Sequence, residues 1–175
     1  MLQEYKNQLP DYAKDLKLNI ASVLNETGSD LNQAEIVGIA LACAYATSDS
    51  DLVKTILTYA NDVLDQSHIK AAKAATSIMA MNNIYYRFVH LSEDDDYQKM
   101  PANLRMNVIA NPGVDKVDFE LYSLAVSAIN GCGLCIASHS KVLNKSGVSK
   151  AAIQHAIRIA ALVHGLAQVA TIEKM

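Results

Sequence analysis

Tryptophan is absent from this chain of 175 residues, and aromatic side chains make up only 6% of it although 51% of its residues are hydrophobic. The apolar mass is therefore alanine, leucine, isoleucine and valine, which suits closely packed helices. Proline occurs three times and glycine seven times, leaving long segments free of helix breakers. Basic clusters are also missing. A formal charge of −3 and a pI near 5.9 argue against a nucleic-acid partner, because phosphate binding depends on clustered Lys and Arg. The start, Met1-Leu2-Gln3-Glu4-Tyr5-Lys6, lacks the layout of a signal peptide, and the apolar run Ile36 to Ala46 is too short to cross a bilayer. The expectation is a cytosolic protein without a membrane partner. At this length no disulfide is needed to stabilise the core, and three cysteines in a reducing compartment point to redox or metal chemistry.

Two of those cysteines stand together in Asn130-Gly131-Cys132-Gly133-Leu134-Cys135. Before them, Phe119, Leu121, Leu124, Ala125, Ala128 and Ile129 recur at helical spacings, and Asn130-Gly131 reads as a left-handed helix stop. After them, Ile136, His139 and Leu143 share one face of a second helix, expected to start at or just before Cys132. In its first turn Cys132 meets unpaired backbone N–H groups and the positive dipole end, which favour a thiolate. Cys135 is near enough to close a disulfide with Cys132, and His139 stands one turn beyond Cys135.

Other helices follow from periodicity. One opens at Leu9-Pro10 and turns Tyr12, Leu16, Ile20 and Val23 inward, fading at Thr27-Gly28. Asp30 or Asn32 could cap the next, Gln33 to Thr47, which is apolar nearly all round and belongs at the centre. A third follows Ser48-Asp49-Ser50, a fourth runs from His68 to about Phe88, and Ser149 is the expected N-cap of a last one from Ala151 to about Ile172. Ser92 to Asp96 reads as a solvated loop, since it lacks the spacing and glycine of a calcium site. A weak internal echo at 85 residues pairs Glu35 with Glu120, Thr47 with Cys132, Ser50 with Cys135 and Lys54 with His139.

A structural zinc site needs four ligands, and beyond the pair only Cys43, in an apolar helix, and scattered histidines remain. A thioredoxin-like fold needs strands that the flanking periodicity does not provide. Redox chemistry on a helical scaffold is the reading left. Cys43 is expected to be a small buried hydrophobe, and His155 and His164 packed or surface histidines.

Glu120, Cys132-x-x-Cys135 and His139, set in Phe119 to Gly131, resemble the alkyl hydroperoxidase D family of the carboxymuconolactone decarboxylase-like superfamily. Leu9 to Asp15, Met79 to Arg87, Leu104 to Asn107 and Ala110 to Gly113 resemble it too, so the likeness spans nearly the whole chain. The resemblance implies an all-α helical bundle, one domain over 1–175 built of two pseudo-repeated halves, about 1–90 and 91–175, with the second half catalytic. It also implies a homotrimer that reduces organic hydroperoxides. Cys135 would be oxidised to a sulfenic acid, Cys132 would donate a proton and then resolve it, and Glu120 and His139 would relay protons. No cofactor would be bound. The reductant would be dihydrolipoamide on the acyltransferase of a 2-oxo-acid dehydrogenase complex, and a peroxiredoxin could accept electrons. The family often carries a histidine immediately before the second cysteine, where this chain has Leu134. Two alternatives stand beside this reading: a dithiol shuttle serving a peroxiredoxin, and a helical oligomer whose cysteine pair only senses redox state.

Overall fold

The computed structural model describes residues 2–25 and 30–175, and among these there are ten α-helices and no strand. They are α1 (Leu2–Gln8), α2 (Lys14–Val23), α3 (Gln33–Thr47), α4 (Ser50–Val63), α5 (Gln66–Leu91), α6 (Asp95–Lys99), α7 (Asn107–Ala110), α8 (Lys116–Ile129), α9 (Gly133–Lys145) and α10 (Lys150–Ile172). The all-α bundle inferred from the sequence is the fold observed. Its centre is α3, which buries every residue from Ile36 to Ala44 and packs against α4, α5, α8 and α10. α8 is equally enclosed from Phe119 to Ser127. The two approach so closely at Gly38 that any Cβ there would overlap the ring of the buried Tyr122.

Short polar side chains fix where the helices begin. Asn32 makes a capping box with Glu35, accepting from its backbone N–H at 2.9 Å while Glu35 Oε2 accepts from the Asn32 N–H at 2.7 Å. Asp30, the other candidate, instead accepts from the Ser149 hydroxyl, and Ser149 caps α10 through the Ala152 N–H as expected. Asp49, Asp65 and Asp115 cap α4, α5 and α8. The trio α3, α4 and α5, of 15, 14 and 26 residues, is followed later in the chain by α8, α9 and α10, of 14, 13 and 23. Matched by their N-caps, the trios set Cys132 opposite Asp49, and not opposite Thr47 as the sequence echo has it.

The structure departs from the sequence reading in three further places. Tyr12 is 61% exposed and donates to Glu173 at 2.8 Å, because Asp11–Ala13 forms a 3₁₀ turn ahead of α2 and presents Ala13 to the core instead. The expected fading at Thr27-Gly28 lies outside the described residues. The acidic run is solvent-facing as expected, but Asp94 caps a short helix within it by accepting from the Asp96 N–H. Finally, α10 is long and apolar enough to cross a membrane by length and composition, which the search for unbroken apolar runs overlooked. In the fold it is a core helix, half buried along that window and packed on α2, α3 and α8.

The junction of α5 and α8 carries a titratable pair of contacts. His68 lies 2.8 Å from Asp65 through Nδ1 and 3.3 Å from Asp118 through Nε2. Burial pulls its pKa down, but the hydrogen bonds and charges of Asp65 and Asp118 outweigh that and raise it above the ordinary histidine value. A raised folded-state pKa gives stability that is fully present below the unfolded value of about 6.5 and is lost as pH rises through the folded value. His68→Gln should therefore cost most near pH 5.5 and little at pH 9. Urea unfolding of both proteins at the two pH values checks this, and an equal cost at both would contradict it.

Candidate functional site

The reversal from α8 into α9 builds the site. Gly131 takes a left-handed backbone with φ +67, its N–H donates to the Ala128 carbonyl at 3.1 Å, and the Cys132 N–H donates to the Ser127 carbonyl at 3.1 Å. That pair of bonds is a Schellman closure, in which a glycine at the left-handed position lets the last carbonyls of a helix find donors. Cys132 closes α8 and also opens α9. It is the N-cap residue itself, just outside the first turn where periodicity had set it, and its Sγ accepts from the Cys135 N–H at 3.3 Å. Cys132 and Cys135 are joined by a disulfide with Cα atoms 5.3 Å apart.

The two sulfurs differ in access. Cys132 is fully enclosed, whereas Cys135 lines a cleft of about 400 Å³ between α5, α7, α8 and α9. His139 and Glu120 line the same cleft, so the structure brings together three of the four residues singled out in the sequence and sets Cys132 directly behind them. His139 Nδ1 lies 2.7 Å from Glu120 Oε2, with both side chains nearly buried. The carboxylate thereby fixes the tautomer with the proton on Nδ1 and orients the ring. His139 Nε2 is 3.3 Å from the Met79 sulfur. Leu134 is 39% exposed in the first turn of α9 and forms part of the cleft wall.

Cys43 stays out of this chemistry. It is buried in α3, and burial pushes its thiol far above the usual range, so it is not a thiolate at neutral pH. His155 is packed against the Val23 carbonyl at 2.8 Å and His164 is exposed, as expected for histidines without a role at the thiols.

Sequence reasoning missed the contribution of α5. Asn83 Nδ2 donates to Ser127 Oγ at 3.0 Å, Asn83 Oδ1 accepts from Asn130 Nδ2 at 2.9 Å, and Arg87 donates to the Asn130 carbonyl at 2.7 Å. These bonds hold the end of α8 and so the start of the cysteine turn. The signal was the doublet Asn82-Asn83 in the middle of an alanine-rich helix, where asparagine is a poor helix former and needs another reason to be present.

The C-terminal part of the chain, residues 95–173, matches the carboxymuconolactone decarboxylase family. A protein of Coxiella burnetii called alkyl hydroperoxide reductase AhpD is 65% identical over 174 residues, covering 99% of this chain and 98% of that relative. The chain belongs to the AhpD family. Proteins bearing the same name in Rhodospirillum centenum and Brucella canis are each 53% identical, over 96% and 95% of this chain and 89% and 94% of their own lengths. AhpD relatives thus match this chain over nearly its whole length.

Asn83→Ala would strand the buried Ser127 hydroxyl and the Asn130 amide. The expected cost is about 1–3 kcal/mol by denaturant unfolding, with faster amide exchange at residues 130–132. A loss under about 0.5 kcal/mol with unchanged exchange would show that the turn holds itself.

Proposed function

We propose that this AhpD-family chain is an alkyl hydroperoxide reductase whose Cys132 and Cys135 cycle between dithiol and disulfide. The observation that carries the reading is that Cys135 lines the cleft beside the His139–Glu120 pair while Cys132 is enclosed behind it. In this reading the Cys135 thiol passes its proton to His139 and the thiolate attacks the terminal oxygen of the hydroperoxide. The O–O bond breaks, Cys135 becomes a sulfenic acid, and the departing alkoxide takes the Cys132 proton to leave as an alcohol. The Cys132 thiolate then attacks the Cys135 sulfur, and hydroxide leaves as water with the proton held on His139. The Cys135 N–H directed at the Cys132 sulfur supports that step, since a hydrogen bond to a thiolate stabilises it.

Re-reduction follows the same access. A dihydrolipoamide thiolate attacks Cys135 from the cleft, Cys132 leaves as the thiolate at the start of α9, and the second lipoyl thiol closes its own disulfide to release Cys135. The donor proposed is the lipoyl-bearing acyltransferase of a 2-oxo-acid dehydrogenase complex, with no cofactor bound by this chain. The same reading has the protein in the cytosol as a homotrimer with a peroxiredoxin as a further electron acceptor. A solvent-facing apolar stripe on α5, Ile84, Phe88 and Leu91, extended by Tyr97 against Phe88, supports the oligomer.

Turnover of an alkyl hydroperoxide with dihydrolipoamide tests the function. Cys132→Ser should still be oxidised once, to a sulfenic acid trapped by dimedone, whereas Cys135→Ser should be inert. The reverse pattern would exchange the two roles, and no wild-type turnover would sink the reading.

Leu134 offers a second test. An alkyl side chain at the cleft wall gives the thiols no donor or acceptor and makes their surroundings less polar, which opposes ionisation. Leu134→His should raise peroxidase activity near neutral pH by about tenfold and move the acid limb of the pH–rate profile lower. Unchanged or reduced activity in the folded variant would show that this chain works without an imidazole there.

A further inference from the structure

The two adjacent asparagines of α5 are used differently. Asn83 has partners for both its amide oxygen and its amide nitrogen, in Asn130 and Ser127. Asn82 is 4% exposed and its Oδ1 is buried without any hydrogen-bond donor. Its side chain lines the cleft that contains Cys135 and His139. Met79 and Tyr86, one turn to either side on α5, line that cleft as well, so the amide belongs to the wall of the site and not to the packing of the bundle.

A buried amide oxygen without a donor is unfavourable, and asparagine is a weak helix former, so neither packing nor helix stability accounts for this side chain. What would satisfy it is a ligand in the cleft that brings a donor. The remaining walls define the rest of that ligand: Met106, Ile109 and Val142 are apolar and accommodate an alkyl chain. An apolar tail ending in one O–H donor beside a reactive sulfur describes an organic hydroperoxide.

We infer that Asn82 binds the substrate: its Oδ1 accepts the hydrogen bond of the terminal hydroperoxy O–H. The carboxamide turns into the cleft by rotation about χ2, a broad and shallow torsion for asparagine. Holding the terminal oxygen in this way orients the O–O bond toward Cys135, so that thiolate attack transfers that oxygen to sulfur and releases the alkoxide on the apolar side. This inference rests on the hydroperoxidase reading and adds to it the group that positions the substrate.

The test compares two reactions of the reduced full-length protein in a stopped-flow instrument. One is oxidation by tert-butyl hydroperoxide, which brings an O–H donor. The other is exchange with an uncharged aromatic disulfide, 4,4′-dithiodipyridine, which brings no O–H donor and reports thiolate reactivity. Asn82→Leu keeps the branched outline of the side chain and removes the acceptor, and should lower the ratio of the hydroperoxide rate to the exchange rate by about five- to tenfold, the effect of one neutral hydrogen bond. Asn82→Asp keeps an acceptor of the same shape and should hold the ratio near the wild-type value. Asn82→Ala gives the same readout should the leucine variant not fold. A wild-type ratio in Asn82→Leu or Asn82→Ala, or an equal fall in Asn82→Asp, overturns the assignment. Wild-type protein that exchanges with the aromatic disulfide yet does not react with the hydroperoxide overturns the hydroperoxidase reading and this inference together.

Discussion

Cys132 belongs to two helices at once, and the site depends on that. As the residue after the left-handed Gly131 it completes the closure of α8, and as N-cap it starts α9 with a sulfur where most helices have a hydroxyl or a carboxylate. The first duty enforces complete burial, because the chain reverses against a helix that is itself enclosed. The second directs a backbone N–H at the sulfur. The Cys132 sulfur is enclosed, and a backbone donor beside it favours its thiolate form. Cys135, one turn into α9, is the member of the pair that the cleft reaches. The asymmetry between two chemically identical side chains thus follows from where the helix begins.

What could be read in the sequence was what neighbouring residues decide. Gln33 to Thr47 came out with its observed bounds because its apolar run is unbroken and Asn32 and Glu35 form a local capping box. The glycine stop and the helix after Cys132 were legible for the same reason, since closure and cap are contacts within five residues. Local reasoning failed at Tyr12, where a single 3₁₀ turn presents Ala13 to the core instead, while Leu16, Ile20 and Val23 in α2 turn inward as expected. The internal echo slipped because alanine-rich helices match one another at several offsets. N-caps mark helix starts more sharply, and both Asp49 and Cys132 are caps whose side chains accept from backbone N–H groups.

The His139–Glu120 pair was legible in part. Both residues were picked out, but their direct contact spans 19 positions and is set by how α9 folds back on α8. Burial strengthens that contact, since a carboxylate enclosed beside an imidazole has little water to compete for its lone pairs. It also fixes which ring nitrogen is free to act, and that nitrogen lies against Met79, a residue 60 positions away that periodicity had no means of connecting to the thiols.

Asn82 and Asn83 lie three and four residues after Met79, and Arg87 four after Asn83, so the four fall along one side of one helix. That face does three things along its length: Met79 meets the imidazole, Asn82 walls the cleft, and Asn83 with Arg87 holds the end of α8. The helix that does this has no thiol and belongs to the first trio of helices, α3 to α5. Its partner residues, Glu120, Ser127 and Asn130, are on α8 or at its end, in the second trio. The cysteine turn by itself would bring the two sulfurs without the cleft wall that α5 supplies. Because α5 also meets α8 where α8 ends, the first trio supplies a wall and a clamp to the candidate site, although its own thiol, Cys43, is buried in α3 away from it.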